Sequence, residues 1–260
     1  RATEPCHAPV RQLRLARNRF TGAACQALLA PPLGVEPSAA TLGLTALALS
    51  FNPIGEVGAA AIAAALGSGR LPSLASLQLH GCNLGPTGGK ALAPGLPGAL
   101  ALEHLDLCDN GLFDEGACAI AAALPSASTT LTEVLLSRNV LGDASAHAIA
   151  TALIKRPTRC RLGLLTLSHN RLRDDAAVAL SEALGADPSH GGNRTLHTID
   201  LRANKLGAGA VLALGDALVA NASVTSLDVT QNRRIASDAL AALHELLAQN
   251  RVQQHREGRV

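Results

Sequence analysis

The chain has 260 residues, of which 48% are apolar and 16% charged, and its formal net charge at pH 7 is +2. It contains only three Phe and no Trp, Tyr or Met, so its core must consist of aliphatic side chains at many equivalent positions. This composition excludes a disordered chain, and the apolar runs are too short for a membrane span of about 18 residues. The scarcity of aromatic side chains also argues against a stacking platform for single-stranded nucleic acid. The sequence therefore favours a regular, repetitive architecture.

One motif, L-x-x-L-x-L-x-x-N-x-L, recurs eight times along the chain. Its first apolar positions are Val10, Leu44, Leu74, Leu102, Leu131, Leu162, Leu196 and Val224. Its asparagine positions are Asn18, Asn52, Asn110, Asn139, Asn170, Asn204 and Asn232, and the third copy has Cys82 instead. Self-similarity at a period of roughly 30 residues indicates a solenoid, in which each repeat is one supersecondary unit.

Each copy of the motif combines two periodicities. Residues such as Leu105 and Leu107 alternate with polar neighbours, which predicts a short strand with one buried face. A helix is predicted to begin about four residues after the last leucine of the motif, as in residues 58–66, 116–124 and 176–184. A strand, a helix and a return to a parallel strand form a βα unit. Such a unit cannot bury its apolar face alone, so neighbouring units must stack.

Three copies depart from the regular repeat. The first has a proline-rich insertion at residues 30–37, the sixth has an insertion at 185–192, and the eighth has an extra residue near 232–235. Both insertions fall where a helix returns to the next strand. They are therefore predicted to be loops on one rim of the solenoid.

The motif asparagine explains how the stacked turns are joined. Its side chain has donors and acceptors, so it is predicted to bond the backbone of its own turn and of the next turn, which makes a ladder along the solenoid. Cys82 can do this only weakly. Strands pack about 4.8 Å apart, whereas helices need about 10 Å. The stack must therefore curve, with the sheet on the inside and the helices on the outside.

These residues and spacings resemble the ribonuclease-inhibitor subfamily of leucine-rich repeats, over roughly residues 10–250. The replacement of a motif asparagine by Cys82 is also typical of that subfamily. The resemblance implies an α/β leucine-rich repeat solenoid, or horseshoe, of about eight repeats, with parallel strands on the concave face and helices on the convex face. We predict an N-terminal flank at residues 1–9, a repeat domain at 10–248 and a polar C-terminal tail at 249–260.

In a solenoid of this kind the strand positions between the leucines face the concavity. The candidate protein-binding residues on this face are Arg14, Arg17, Phe51, Gln78, His80, His104, Asp106, Asp109, Glu133, Arg138, His169, Asp200, Arg202 and Asp228. Mixed polar and charged groups on a rigid sheet suit a protein partner. The alternative is a solvated inner face on which Asp109 and Arg138 form an incidental pair across adjacent strands.

The main chemical alternative is a metal site formed by His80, His104, Asp106 and Cys108. The tight local spacing of a zinc site is missing from this group. The sequence also shows no nucleophile motif, no HExxH and no phosphate-binding loop. We therefore expect no metal, no cofactor and no enzymatic activity.

The sequence gives weaker indications of glycosylation and of the redox state of the cysteines. Asn193 and Asn221 begin matches to the glycosylation acceptor, and we expect both to be unmodified because the repeat itself favours these residues before a strand. The six cysteines contain no CxxC pair, which indicates reduced thiols of an intracellular protein. Cys118 is expected to be a partly exposed free thiol.

The resemblance implies a non-catalytic scaffold that binds another protein through the concave sheet face. The alternatives are a sensor module of a NOD-like receptor and a Ran-type GTPase-activating protein. The Ran-type family typically has a strongly acidic segment after the repeats, whereas residues 250–260 are polar and basic. We expect no nucleic acid, membrane or metal partner, membership of a larger chain or complex, and a cytoplasmic location, including association with cytoskeletal or axonemal structures.

Overall fold

The computed structural model describes residues 10–31, 41–126, 130–155, 161–185 and 192–256. Within these ranges strands and helices alternate along the chain. The strands are β1 (Gln12–Arg14), β2 (Ala46–Ala48), β3 (Ser76–Gln78), β4 (His104–Asp106), β5 (Glu133–Leu135), β6 (Leu164–Thr166), β7 (Thr198–Asp200) and β8 (Ser226–Asp228). The helices are α1 (Gly22–Leu29), α2 (Gly55–Gly67), α3 (Gly85–Leu92), α4 (Phe113–Ala123), α5 (Asp143–Lys155), α6 (Asp174–Gly185), α7 (Ala208–Ala220) and α8 (Ser237–Arg256). Short 3₁₀ segments, Ala93–Gly98 and Leu124–Ser126, follow α3 and α4.

All eight strands belong to one parallel sheet, and they lie side by side in chain order. Their register places the buried strand residues directly opposite one another, as with Leu77, Leu105 and Val134 on β3, β4 and β5. The helices pack against their sequence neighbours on the other side of this core. This confirms the predicted α/β solenoid, with strands on the concave face and helices on the convex face.

The ends and insertions fit less simply into the predicted segments. Residues 249–256, which the sequence sets apart as a tail, are the last two turns of α8, and Asn250 and Gln254 within them are buried. The flank at 1–9 and most of the two insertions lie outside the described residues. Of the helices in the described ranges, none combines the length and the apolar character that a bilayer span needs.

The helices begin earlier than the sequence predicts. α2 and α4 start one residue after the last motif position, at Gly55 and Phe113. The motif residues Ile54 and Leu112 already have helical dihedral angles, with φ of −79° and −65°. At the next residues, Gly55 and Phe113, φ is positive (54° and 51°), so the backbone passes through one left-handed residue as it enters each helix.

Carboxylates in the first helical turns cap the turn that leads into the next helix. The contact joins an aspartate Oδ1 to a backbone N–H of the following repeat at Asp114 and Gly142 (2.8 Å), Asp143 and Arg173 (2.7 Å), and Asp174 and Gly207 (2.6 Å). N–H groups near helix N-termini lack intrahelical acceptors and attract negative charge. This column of aspartates is a second link between repeats, and the sequence pattern did not indicate it.

The asparagine ladder is present, with a difference in direction. Asn139 Nδ2 donates to Leu136 O (3.1 Å) in its own repeat and to Leu107 O (2.8 Å) in the preceding one. Its Oδ1 accepts the N–H groups of Asn110 (3.0 Å) and Leu112 (3.3 Å), again in the preceding repeat. The prediction that the side chain reaches to the next turn is therefore wrong. Each asparagine lies in the turn after the strand of its own repeat. Its side chain bonds the equivalent turn of the preceding repeat.

The third copy shows what the asparagine contributes. Cys82 Sγ lies 3.3 Å from Leu49 O and 3.7 Å from His80 O, and sulfur is a weak donor at such distances. Burial raises the pKa of the Cys82 thiol to about 11. The position therefore remains a neutral thiol that fills the space of the asparagine without its full set of bonds.

Candidate functional site

Strand alternation builds the concave face. On β4, Leu105 and the following Leu107 are fully buried, while His104 and Asp106 are partly exposed on the opposite side. The register then aligns His104 with Glu133, and Gln78 with Asp106. Candidate residues from separate repeats are therefore neighbours on one rigid surface.

A left-handed turn follows every strand. The residues at this position have φ between 51° and 62°, and they are Arg17, Phe51, Gly81, Asp109, Arg138, His169, Ala203 and Gln231. For residues other than glycine this conformation costs roughly 1–2 kcal/mol. Backbone bonds to the next repeat hold it, as from Asp109 N to Ser137 O at 2.9 Å. The side chains of Asp109, Arg138 and His169 are thereby exposed on a fixed backbone.

Three predicted residues stack at the N-terminal end of the concave face. The guanidinium carbon of Arg17 lies 4.8 Å from the centroid of the Phe51 ring, and the rings of Phe51 and His80 are 4.7 Å apart at 44°. Gly81 makes this possible, since a Cβ there would lie 2.9 Å from the Phe51 ring. Phe51 is nevertheless 44% exposed, so it presents the largest apolar surface among the candidate residues.

Histidines and acids meet in the middle of the face. His104 Nδ1 lies 2.7 Å from Glu133 Oε2 on the next strand, and His80 Nδ1 lies 3.9 Å from Asp106 Oδ2. Asp106 uses its other oxygen to accept the backbone N–H of Cys108 at 2.9 Å. These contacts cross three neighbouring strands and fix the direction of the acidic groups.

Only three of the four candidate metal ligands lie close together in the structure. His80, Asp106 and Cys108 each offer one ligand atom, and the three atoms lie within 4.8 Å of one another. His104 does not belong to the group, because it bonds Glu133 instead. Burial and the Asp106 carboxylate raise the pKa of the Cys108 thiol to about 12, so a metal ion would have to displace its proton. The absence of metal binding stays a prediction.

The C-terminal strands carry one compact ionic cluster. Arg202 donates from Nε to Asp200 Oδ1 (3.0 Å) and from Nη2 to Oδ2 (2.9 Å), and its Nε lies 3.4 Å from Asp228 Oδ2. Burial alone would raise the pKa of Asp200, but hydrogen bonds from the Arg202 side chain and backbone and from Ser168 lower it below the usual range. Arg202 is therefore a neutralised part of the face.

Asp109 and Arg138 do not pair, contrary to the interpretation of an incidental ion pair. Neither of them has a carboxylate–guanidinium contact within 4.0 Å to any residue of the described ranges. Both are residues of left-handed turns, and both side chains are exposed. They are thus available to a partner without the loss of an internal pair.

Two sets of residues were missed by the sequence analysis. Ser137 Oγ donates to Thr166 Oγ1 (3.0 Å) and lies 2.9 Å from Ser168 Oγ, so hydroxyls link the centre of the face to its C-terminal half. In the last three repeats a basic residue directly follows the ladder asparagine, namely Arg171, Lys205 and Arg233. Both sets could have been found by aligning the positions after each strand across all eight repeats.

The two glycosylation matches lie in the core. Asn193 and Asn221 have no exposed surface, and Asn221 Nδ2 donates to Leu184 O (2.9 Å) and to Asn193 O (2.8 Å). A glycan would have to be attached to this same nitrogen. Their burial supports the expectation that both are unmodified.

The described cysteines differ in expected reactivity. Burial raises the pKa of Cys25 and Cys108 to about 12, and it also raises the pKa of Cys118, which is only partly buried. Because the thiolate is the reactive form, we expect iodoacetamide at about pH 8 to label Cys118 well before Cys25, Cys82 or Cys108. Peptide mapping by mass spectrometry measures this order. Equal labelling of Cys108 and Cys118 in the native protein would contradict it, and equal labelling in guanidinium chloride is the control.

Comparison with known proteins agrees with the geometry. The family model described as Leucine Rich repeat matches residues 44–63, 70–93 and 127–150. Ribonuclease inhibitor of Sus scrofa is 30% identical over 179 residues, which is 69% of this chain and 37% of that protein. NACHT, LRR and PYD domains-containing protein 12 of Mus musculus is 30% identical, over 86% of this chain and 20% of that protein. Tonsoku-like protein of Bos taurus is 34% identical, over 93% of this chain and 17% of that protein.

The sheet, the stacked βα units and the asparagine ladder define a leucine-rich repeat protein. Together with the matched repeats and relatives, they show that the chain belongs to the ribonuclease-inhibitor-like leucine-rich repeat family. The chain spans well under half the length of these three relatives.

Proposed function

We propose that this chain is a non-catalytic scaffold that binds another protein through its concave sheet face. The observation that carries the proposal is the continuous eight-stranded sheet, whose inner face presents polar and charged side chains in fixed register. A rigid surface of this kind orders its contact groups before binding, so little conformational entropy is lost on association. One of the relatives is by its name an inhibitor of ribonuclease, which supports a protein as the class of partner.

The centre of the proposed site is formed by five residues of β4, β5 and the turns that follow β4, β5 and β6. They are Asp106, Asp109, Glu133, Arg138 and His169. Three of them stand exposed on the left-handed turns, and energetic contributions usually concentrate near the centre of an interface. The stack around Phe51 and the cluster around Arg202 form its two ends.

Charge at Arg138 gives the sharpest test. We expect Arg138→Glu to weaken partner binding by about tenfold or more, while the melting temperature stays nearly unchanged because the side chain is exposed and unpaired within the described chain. The tagged protein is used to capture partners from a lysate of cells that express it. Each captured protein is then purified and titrated against the wild type and the variant.

Lys90→Glu is the matched control, since it makes the same change of charge on the convex face. Lys90 pairs with Glu115 at 2.6 Å, and both side chains are more than half exposed, so only a small stability effect is expected. A partner that is lost by Lys90→Glu and kept by Arg138→Glu would place the binding surface on the helices and refute the proposal.

A sensor module of a larger receptor is the second candidate function. It is favoured by the likeness to proteins whose names include a NACHT domain, of which this chain covers about a fifth. Such a sensor would use the same concave face, and it requires a nucleotide-binding domain in the same polypeptide. The sequence of the full-length gene product decides between the two. A cytoplasmic location is proposed on the four free cysteines among the described residues.

A further inference from the structure

A basic cavity lies on the rim where the last strands turn into their helices. Its volume is about 960 Å³, and it opens beside His169 and Gln231, at the edge of the concave face. Three arginines and one lysine, from three successive repeats, line it: Arg173, Lys205, Arg233 and Arg234. No carboxylate is found among the described residues that line it.

The asparagine ladder fixes these cations in place. Lys205 and Arg233 directly follow the ladder residues Asn204 and Asn232. Asn232 Oδ1 accepts the N–H groups of Asn204 (3.0 Å) and Leu206 (3.1 Å), so the two turns are bonded to each other under the cavity. The positive groups therefore extend from a rigid frame rather than from a loose loop.

The charge of the cavity is not balanced from within. None of the four side chains forms an ion pair with any residue of the described ranges, and all four are exposed. Two aspartates near this rim, Asp143 and Asp174, accept the backbone N–H groups of Arg173 and Gly207, so their charge offsets only part of that of the four cations. Four cations in one cavity, on a chain with a net charge of only +2, create a local field that attracts anions.

We propose that this cavity binds a carboxylate-rich peptide segment of the protein partner. The inference rests on the proposed scaffold function, because the cavity is continuous with the concave face. Arginine side chains match carboxylates with two parallel hydrogen bonds, which favours an acidic peptide. A nucleic acid is less suited, because the cavity is confined to three repeats and the chain has no Trp or Tyr on which bases could stack.

The test measures binding of a fluorescein-labelled decaglutamate peptide by fluorescence anisotropy. We expect saturable binding that weakens as salt is added, since exposed charges are screened. Arg233→Glu combined with Arg234→Glu is expected to weaken it by about tenfold or more, and the neutral pair Arg233→Gln with Arg234→Gln by a smaller factor. Unchanged circular dichroism spectra would show that these exposed substitutions leave the fold intact.

The matched control combines Lys90→Glu with Arg256→Glu, which changes the charge equally on α3 and at the end of α8. Equal loss of peptide binding in the control and in the cavity variant would overturn the proposal, because charge alone would then explain it. Tighter binding of a DNA duplex than of the peptide, reduced by the cavity variant, would also overturn it and would assign the cavity to nucleic acid.

Failure of this inference differs from failure of the scaffold function. A partner that is lost by Arg138→Glu, while the cavity variant changes neither peptide nor partner binding, would refute the acidic docking site alone. A partner that ignores Arg138→Glu would refute the concave binding face, whatever the peptide does.

Discussion

Replacing Leu107 with alanine is expected to lower the free energy of unfolding by about 2–5 kcal/mol. Leu107 is fully buried, and the equivalent residues of the neighbouring repeats, Leu79 and Leu136, are 0% and 1% exposed. The backbone around it is bonded on both sides, for example from Leu107 N to Leu135 O at 2.9 Å. The repeats can therefore collapse only partly into the space that the missing atoms leave, and the cavity adds to the lost transfer free energy.

Urea denaturation followed by circular dichroism measures this effect. Leu212→Ala is the matched control, since it removes the same atoms from a residue of α7 that is 70% exposed. A change within about 0.5 kcal/mol is expected there. If the two variants lost similar stability, Leu107 would not be part of a shared stacked core.

The sequence was sufficient to predict the features that repeat with the motif. The alternation at Leu105 and Leu107 identified strand and core together, because a period of two assigns each residue to one face. Eight copies in register then required a parallel sheet in chain order. The metal alternative also grouped His80 with Cys108, and the structure brings their ligand atoms within 4.8 Å of each other.

Features that depend on the offset between stacked repeats were not predictable from the motif. The ladder asparagine was assigned to the next turn, but it bonds the preceding one, because the pattern does not contain the direction of the side chain. The aspartate contacts, such as Asp114 to Gly142, join residues that lie 28 apart in sequence, and nothing local marks them. Asp109 and Arg138 were paired on strand spacing alone, whereas both are exposed residues of left-handed turns and form no ion pair within the described ranges.

The candidate site was predictable to a similar degree. Aligning the equivalent strand positions of the eight repeats identified the residues of the concave face, because the period of two assigns each strand residue to one face. The basic cavity was missed, since its cations follow the ladder asparagines rather than the strand leucines, as with Lys205 after Asn204. Three separate turns must be superposed before their charges are seen to share one space.

Replacing Asn139 with alanine is expected to lower the free energy of unfolding by roughly 1–3 kcal/mol. Its side chain is fully buried and bonds five backbone groups, the carbonyls of Leu107, Leu136 and Ser137 and the N–H groups of Asn110 and Leu112. Alanine removes every one of these partners while the groups stay buried. Denaturant unfolding of the two proteins measures the difference.

Asn18→Ala is the control for the ladder, because Asn18 occupies the same motif position in the first described repeat and is exposed. Its side chain makes one bond within the described chain, from Nδ2 to Ala16 O at 3.0 Å, so a smaller loss is expected. Asn139→Asp then distinguishes the contribution of the side-chain donor from that of the acceptor. It keeps an oxygen for the two N–H groups, but it places a second oxygen against the backbone carbonyls that the amide nitrogen bonds in the wild type.

The free energy of unfolding of Asn139→Asp is expected to depend on pH. The buried carboxyl of this variant would have a pKa raised above its unfolded value of about 3.9, because its charged form would be desolvated and would face carbonyl oxygens. Its folded state would therefore bind a proton more tightly than its unfolded state. Relative to the wild type, the variant should be least destabilised below about pH 4 and should lose stability as the pH rises through the folded pKa. A loss that does not change with pH, or an Asn139→Ala variant as stable as Asn18→Ala, would mean that the ladder does not hold the repeats together.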